Sequence, residues 1–335
     1  MALAFYAIQS LMCRKSLPTE ACGACNSCAQ IARAVHPDVD FLFPSSGATQ
    51  SSGDDAHALA QWRGFISQGL YQSFEDWNTY VQASSKQLTI SAPMVDRLLR
   101  HTCLKAVKGS HKSILIWLPE LLHPAAANAL LKTLEDPPDK TSFILISHRV
   151  DKVLPTIRSR AQQRYVRAFS DQEVSHVLNA QGIPTSRRQQ ITLLASGNLG
   201  KALQMTHSAC QDPAKNFHAW LRSCYQTKFI DLLAQAEHFH RLEHTVQRAF
   251  LRYGLHLLRE SVVAQAGCVR LLRVVDTERR FVENFARSVT FKTIAQLIKY
   301  VGEAFSHLGK HVNARMVYMT LSLKTTAAIQ AMRQS

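Results

Sequence analysis

Residues 113–120 read Ser-Ile-Leu-Ile-Trp-Leu-Pro-Glu and run on into LLHPAAANALLKTLEDPP at 121–138 and TSFILIS at 141–147. The apolar run 113–118 does not alternate with polar residues, so both of its faces expect cover, as in a buried strand of a parallel sheet. Pro124 sits where a first-turn proline opens a helix, and Pro137-Pro138 closes it. The run 141–147 is a second wholly apolar strand. Strand, helix, strand over this length predicts a right-handed crossover and an α/β domain.

The same reading extends towards the N-terminus. Residues 2–14 predict an amphipathic or buried helix, and a cysteine-rich turn follows. Val39, Phe41 and Phe43 then alternate with Asp40 and Leu42 in a short strand ended by Pro44. SSGATQSSGDDA (45–56) is small and polar, the composition of a surface loop. Helical periodicity fills 57–83. The stretch 88–107 predicts a strand end, a helix cap at Ser91 and an amphipathic helix, and KGSHK turns into the strand at 113.

Beyond about residue 168 the strand signals fade. Ser170-x-x-Glu173 is a capping box that opens a helix. A pair of helices is predicted around Gly197 and Gly200, and 214–333 is helical almost throughout with no fixed repeat. The predicted organisation is an α/β domain over 1–168, a small helical domain over 169–208 and a helical domain over 209–335.

Composition bounds the function classes. With 46% hydrophobic residues the chain can bury real cores, and no apolar run approaches the roughly 20 residues of a membrane span. It is therefore read as soluble. MALAFYAIQSLMCRK lacks a basic leader region, so a helix of the folded domain is a better reading than a signal peptide. Lys and Arg number 39 against 24 Asp and Glu, a net charge of +15, which favours nucleic acid or an acidic protein partner. Eight scattered and clustered cysteines do not form a disulfide framework, which predicts a reducing, cytoplasmic setting.

Cys22-x-x-Cys25-x-x-Cys28, with Cys13 nine positions before Cys22, supplies four thiolates in a short span. Four soft ligands suit tetrahedral Zn²⁺, and filled ligand positions make such a site structural. The third evenly spaced cysteine weighs against a dithiol redox motif. Scattered histidines (His207, His218, His238, His240) have no ligand spacing. A phosphate-cradling Gly-x-x-x-x-Gly-Lys-[Ser/Thr] loop is missing from the sequence, and GNLGKAL at 197–203 is read as a turn between helices.

Taken in order, the cysteine cluster, His36-Pro37-Asp38, AAANALLKTLEDPP, the strand after it and LPTIRSRAQQ resemble the AAA+ clamp-loader subunits of bacterial DNA polymerase III. The resemblance is clear over about 1–205 and is carried further only by helical character. It implies an AAA+ α/β domain with a zinc module (13–28) inserted, a helical lid domain (169–208) and an all-helical collar domain (209–335) for oligomerisation. The α/β domain as given begins just past the family's N-terminal strand and phosphate loop. The segment 57–83 is longer than the family has there, and its role is open.

Family ATPases end the strand at 113–118 with an Asp-Glu pair, one carboxylate for Mg²⁺ and one for the attacking water. Those positions fall on Leu118 and Pro119, with Glu120 one or two places late. The resemblance is therefore to the delta-prime branch, a non-hydrolysing scaffold without intrinsic ATPase activity that binds no ATP itself. PTIRSRA matches the family's Ser-Arg-Cys motif except for its last residue, which implies that Arg160, next to Ser159, is an arginine finger for ATP on a neighbouring subunit. Ser147 and Lys201 fall near the family's two sensor positions and are expected to be a structural hydroxyl and a solvated lysine.

The implied partners are gamma/tau-type motor subunits, the delta subunit, the sliding clamp and primed DNA, within the replicative polymerase. A truncated gamma/tau-type motor ATPase and a stand-alone zinc-containing DNA-binding protein are the alternatives. The first requires the missing acidic pair. The second predicts steeply salt-dependent DNA binding by the chain alone.

Overall fold

The computed structural model describes residues 1–15, 20–46, 54–82, 87–109, 111–207, 213–309 and 312–334. Most of the polar loop expected over 45–56, part of the turn at 108–112 and the junction at 208/209 lie outside the described residues. By backbone contacts the chain divides into two units, Met1–Val166 and Arg167–Ser335.

The first unit runs α1 (Ala2–Met12), α2 (Asn26–Ala32), β1 (Val39–Leu42), α3 (Asp54–Ser67), α4 (Phe74–Tyr80), α5 (Ala92–Thr102), β2 (Lys112–Trp117), a 3₁₀ turn (Pro119–Leu121), α6 (Pro124–Glu135), β3 (Thr141–Ile146) and α7 (Pro155–Arg158). The three strands are parallel in the order β1-β2-β3. Central β2 is buried along its whole length, as its unalternating sequence requires. Its side chains then sort by parity. Ile114 and Ile116 pack with Val95 and Leu98 of α5 and Ala126 and Leu130 of α6. Leu115 and Trp117 pack on the other face with Phe5 and Ile8 of α1 and Trp62 and Phe65 of α3.

The stretch expected as one helical region over 57–83 is two helices, and residue 83 itself lies outside the described residues. Gly69, at φ 142°, ends α3 in a conformation open only to glycine. Ser73 then starts α4 with a capping box to Asp76. Together these helices deliver an aromatic core. The Phe43 ring stacks on Trp62 at 4.5 Å, Trp77 meets both edge-on, and Trp62 lies 5.2 Å from Trp117. Trp77 donates its indole N–H to the Pro44 carbonyl at 2.7 Å. Ser91 occupies the cap position of α5, but its hydroxyl makes no capping bond. Pro93, at the second helical position, has no N–H to offer it.

The second unit is helical in all its described elements: α8 (Asp171–Ala180), α9 (Thr185–Ala195), α10 (Leu199–His207), α11 (Pro213–Tyr225), α12 (Phe229–Arg241), α13 (His244–Gln265), a 3₁₀ turn (Val269–Leu271), α14 (Asp276–Ser288), α15 (Phe291–Gly309) and α16 (Ala314–Gln334). Two cores hold it. Val174, Leu178, Ile191, Ala195, Leu199 and Ala202 form the smaller, and α11–α16 enclose the larger around Phe217, Trp220 and Leu257. The Ser170–Glu173 capping box forms, and Arg167 grips Glu173 with both guanidinium nitrogens at 2.8 and 2.6 Å. That bidentate bond and the Ser170 contacts hold the Glu173 pKa down to about 2. Of GNLGKAL, read as a turn between helices, only Gly197 and Asn198 lie in the turn; Leu199–Leu203 already belong to α10. Gly197 has φ 78°, and a Cβ there would lie 2.4 Å from the Phe169 carbonyl. Asn198 caps α10 by accepting the Lys201 amide at 3.0 Å.

Candidate functional site

At the C-terminal edge of the sheet, β2 stops one residue before the sequence suggests. Leu118 turns into the left-handed region at φ 61°, ψ 61°, with its side chain 2% exposed. Its N–H still donates to the Ile146 carbonyl at 2.8 Å, which keeps it in the ladder with β3. Pro119 then starts the 3₁₀ turn, and Leu121 and Leu122 close it back on Leu118 and Pro119. Glu120 therefore points along the sheet edge, where Oε1 accepts the His148 amide at 3.0 Å. Burial lowers the His148 pKa, with the Glu120 charge opposing it in part. Ser147 uses its hydroxyl to accept the Arg149 amide at 3.1 Å, a local turn contact. Among the described residues this strand end carries no pair of neighbouring carboxylates.

Arg160 is placed by a short chain of packing. Pro155 opens α7, and Ile157, 1% exposed, locks it against Ala127 and Val153, with Leu131 and Leu134 alongside. Ser159 and Arg160 emerge just past the helix. The Ser159 hydroxyl donates to the Thr156 carbonyl at 3.1 Å. Arg160 donates through Nη1 to the same carbonyl at 2.9 Å and through Nη2 to Glu135 Oε1 at 2.5 Å. Glu135 is the last residue of α6 and lies in the NALLKTLEDPP stretch.

The four cysteines converge. Cys13 ends α1, Cys25 caps α2, and Cys28 lies in the first turn of α2. All four Sγ atoms lie within 4.8 Å of one another, with Cys13 at 3.5 Å from Cys22 and 4.0 Å from Cys25. Zn–S bonds of about 2.3 Å in a tetrahedron require sulfur–sulfur edges of about 3.8 Å, so the cage has the right size for that ion. Amides of Cys22, Cys25 and Cys28 donate to the sulfurs of Cys13, Cys22 and Cys25 at 3.4, 3.3 and 3.5 Å. Such bonds favour thiolates. The Cys28 amide, chiefly, holds the Cys25 pKa down to about 6, whereas burial pushes Cys28 up to about 12. The donor set, its spacing and its N–H···S bonds fit a soft divalent metal.

His36-Pro37-Asp38 has a structural role. Asp38, 1% exposed, accepts the amides of Val107, Lys108 and Gly109 at 2.5, 2.8 and 2.8 Å. Burial alone would raise its pKa, but the three amides together carry it below the ordinary value. His36 Nδ1 accepts the Asp38 amide at 3.2 Å. Arg14, beside Cys13, donates to the Lys108 carbonyl at 2.7 Å, which ties the cysteine module to the same loop. Among the histidines, His218 stacks on Phe281 at 3.8 Å and meets the Tyr253 hydroxyl at 3.1 Å, a contact within the helical core.

Comparison with known proteins places the first unit. The family described as "DNA polymerase III, delta subunit" matches residues 1–170, just over half of the 335. A DNA polymerase III subunit delta-prime from Yersinia pestis is 32% identical over 167 residues, 49% of this chain and 37% of that protein. A subunit tau from Escherichia coli K12 is 33% identical over 118 residues, 33% of this chain and 18% of that protein. The chain thus spans well under half the length of these curated relatives. A solved gamma-subunit-related protein of Thermotoga maritima overlays 90% of this chain and 88% of its own at 14% identity, loosely, with a TM-score of 0.38. On the match over residues 1–170 and the delta-prime relatives aligned with 49% of the chain, the protein belongs to the DNA polymerase III delta-subunit family, of the delta-prime type.

Proposed function

We propose that the chain is a non-hydrolysing clamp-loader subunit that helps set the sliding clamp on primed DNA and offers Arg160 to ATP held by a neighbouring motor subunit of the gamma/tau type. The observation that carries this reading is the end of β2. Leu118 is buried and left-handed, Pro119 has no ionisable group, and Glu120 is turned onto the His148 amide. A carboxylate engaged with backbone there is out of place for Mg²⁺ and for an attacking water, both of which need it at the strand tip. By contrast Arg160 stands at the surface just past α7 with a fork suited to phosphate oxygens. Ser159 shapes the turn that presents it.

In the same reading Cys13, Cys22, Cys25 and Cys28 hold a structural Zn²⁺ that fixes the loop between α1 and α2. The segment 169–208 is the lid and 209–335 the collar that joins the delta and motor subunits. ATP is bound by the neighbours. The net charge of +15 suits work beside DNA. No helix among the described residues is long and apolar enough to cross a membrane, and a cytoplasmic replication machine is the setting this function needs.

The test is co-purification with the motor and delta subunits of the same organism, followed by ATP hydrolysis with and without this chain. Co-assembly and a stimulated rate that Arg160→Ala abolishes are expected. ATP turnover by the purified chain alone would overturn the reading and favour the motor alternative. Tight, salt-sensitive DNA binding by the chain without partners would favour the stand-alone DNA-binding alternative.

A further inference from the structure

We infer that Glu135 is a counter-ion latch that holds Arg160 folded back until a phosphate on the neighbouring subunit displaces it. The inference rests on the finger reading of Arg160. Both terminal nitrogens of the guanidinium are engaged within the chain, Nη1 by the Thr156 carbonyl and Nη2 by the Glu135 carboxylate. A phosphate oxygen approaching the fork meets the same nitrogens and the same charge, so carboxylate and phosphate compete for one cation. They also repel each other, because each is anionic and they would share a few ångströms of space.

Placement makes the contact releasable. Glu135 is the final residue of α6, and its side chain is 59% exposed, so it can turn to solvent without disturbing a core. Arg160 follows the end of α7, where only side-chain torsions need change. An exposed pair of this kind is weak enough to be displaced and strong enough to bias a free side chain. The NALLKTLEDPP and PTIRSRA stretches thereby act on one another: the glutamate that ends α6 within the first holds the arginine in the second.

The experiment measures association of the full chain with its gamma/tau-type motor subunits, with a non-hydrolysable ATP analogue and without nucleotide, for wild type, Glu135→Gln, Glu135→Ala and Arg160→Ala. Circular dichroism confirms that each variant is folded. The latch predicts that both Glu135 variants tighten association with the analogue by about twofold to fivefold relative to the nucleotide-free reference. A residue that merely positions Arg160 predicts the opposite, a loss that the glutamine partly spares. If Arg160→Ala weakens analogue-dependent association while the Glu135 variants do not strengthen it, the latch is wrong and the finger stands. If Arg160→Ala has no effect, both fall.

Discussion

Asp38 accepts the amide of Lys108 at 2.8 Å, across 70 residues of sequence, while flanking amides from Val107 and Gly109 complete the same carboxylate cradle. Asp38 is buried while the loop it holds is exposed, so replacing it with Ala removes the shared acceptor of three amides and is expected to cost about 1–3 kcal/mol. Denaturant unfolding of the variant checks this. The pH dependence has a definite sign. The folded-state pKa lies below the ordinary 3.8, so the carboxylate's contribution is complete above that value and is lost as pH falls through the lower, folded-state pKa. Asp38→Ala should flatten that acid limb of the stability curve.

The cysteine module predicts metal content as well as stability. Purified chain is expected to carry about one zinc per molecule by elemental analysis, as four thiolates fill one tetrahedral site. Cys25→Ser should lower that content sharply and lower the melting temperature, because metal binding is coupled to folding of the loop. A strong chelator should reproduce the shift in the wild type and leave the serine variant nearly unmoved. Equal metal content in the two proteins would exclude the cage as the binding site.

Trp62 is fully buried between Phe43 and Trp117, so Trp62→Ala should destabilise the first unit by about 3–5 kcal/mol. Thermal or denaturant melts followed through the remaining tryptophans report it. A loss near zero would mean that α3 and α4 are dispensable to the sheet.

Glu120→Gln separates a structural acid from a catalytic one. An amide oxygen can still accept the His148 N–H, so the edge contact survives. Hydrolysis by the assembled complex is expected to stay within about twofold, whereas loss of a general base costs about 10²–10⁴-fold.

The parallel α/β framework was legible because β2 and β3 are apolar without alternation, and because Pro124 and the Pro137-Pro138 pair punctuate α6. The cysteine cage was legible from spacing alone, since ligands close in sequence need little help from the fold to meet. The sites that stayed hidden depend on distant pairing. Asp38 and the loop at 107–109 are far apart in sequence, and only the β1–β2 pairing brings them together. Nothing local marks Glu135 as the partner of Arg160. The break between α3 and α4 was written in Gly69 and Ser73, but the helical periodicity on either side outweighed it.

Leu118 carries a final implication for anyone who would write a carboxylate pair into this strand end. Writing Asp and Glu into positions 118 and 119 would put a negative charge at a buried, left-handed position that belongs to the same apolar cluster as Phe43 and Trp77. Seating such a pair means first straightening the backbone there and making room in the apolar cluster, so the lack of acids at this strand tip is written in its scaffold as well as its alphabet.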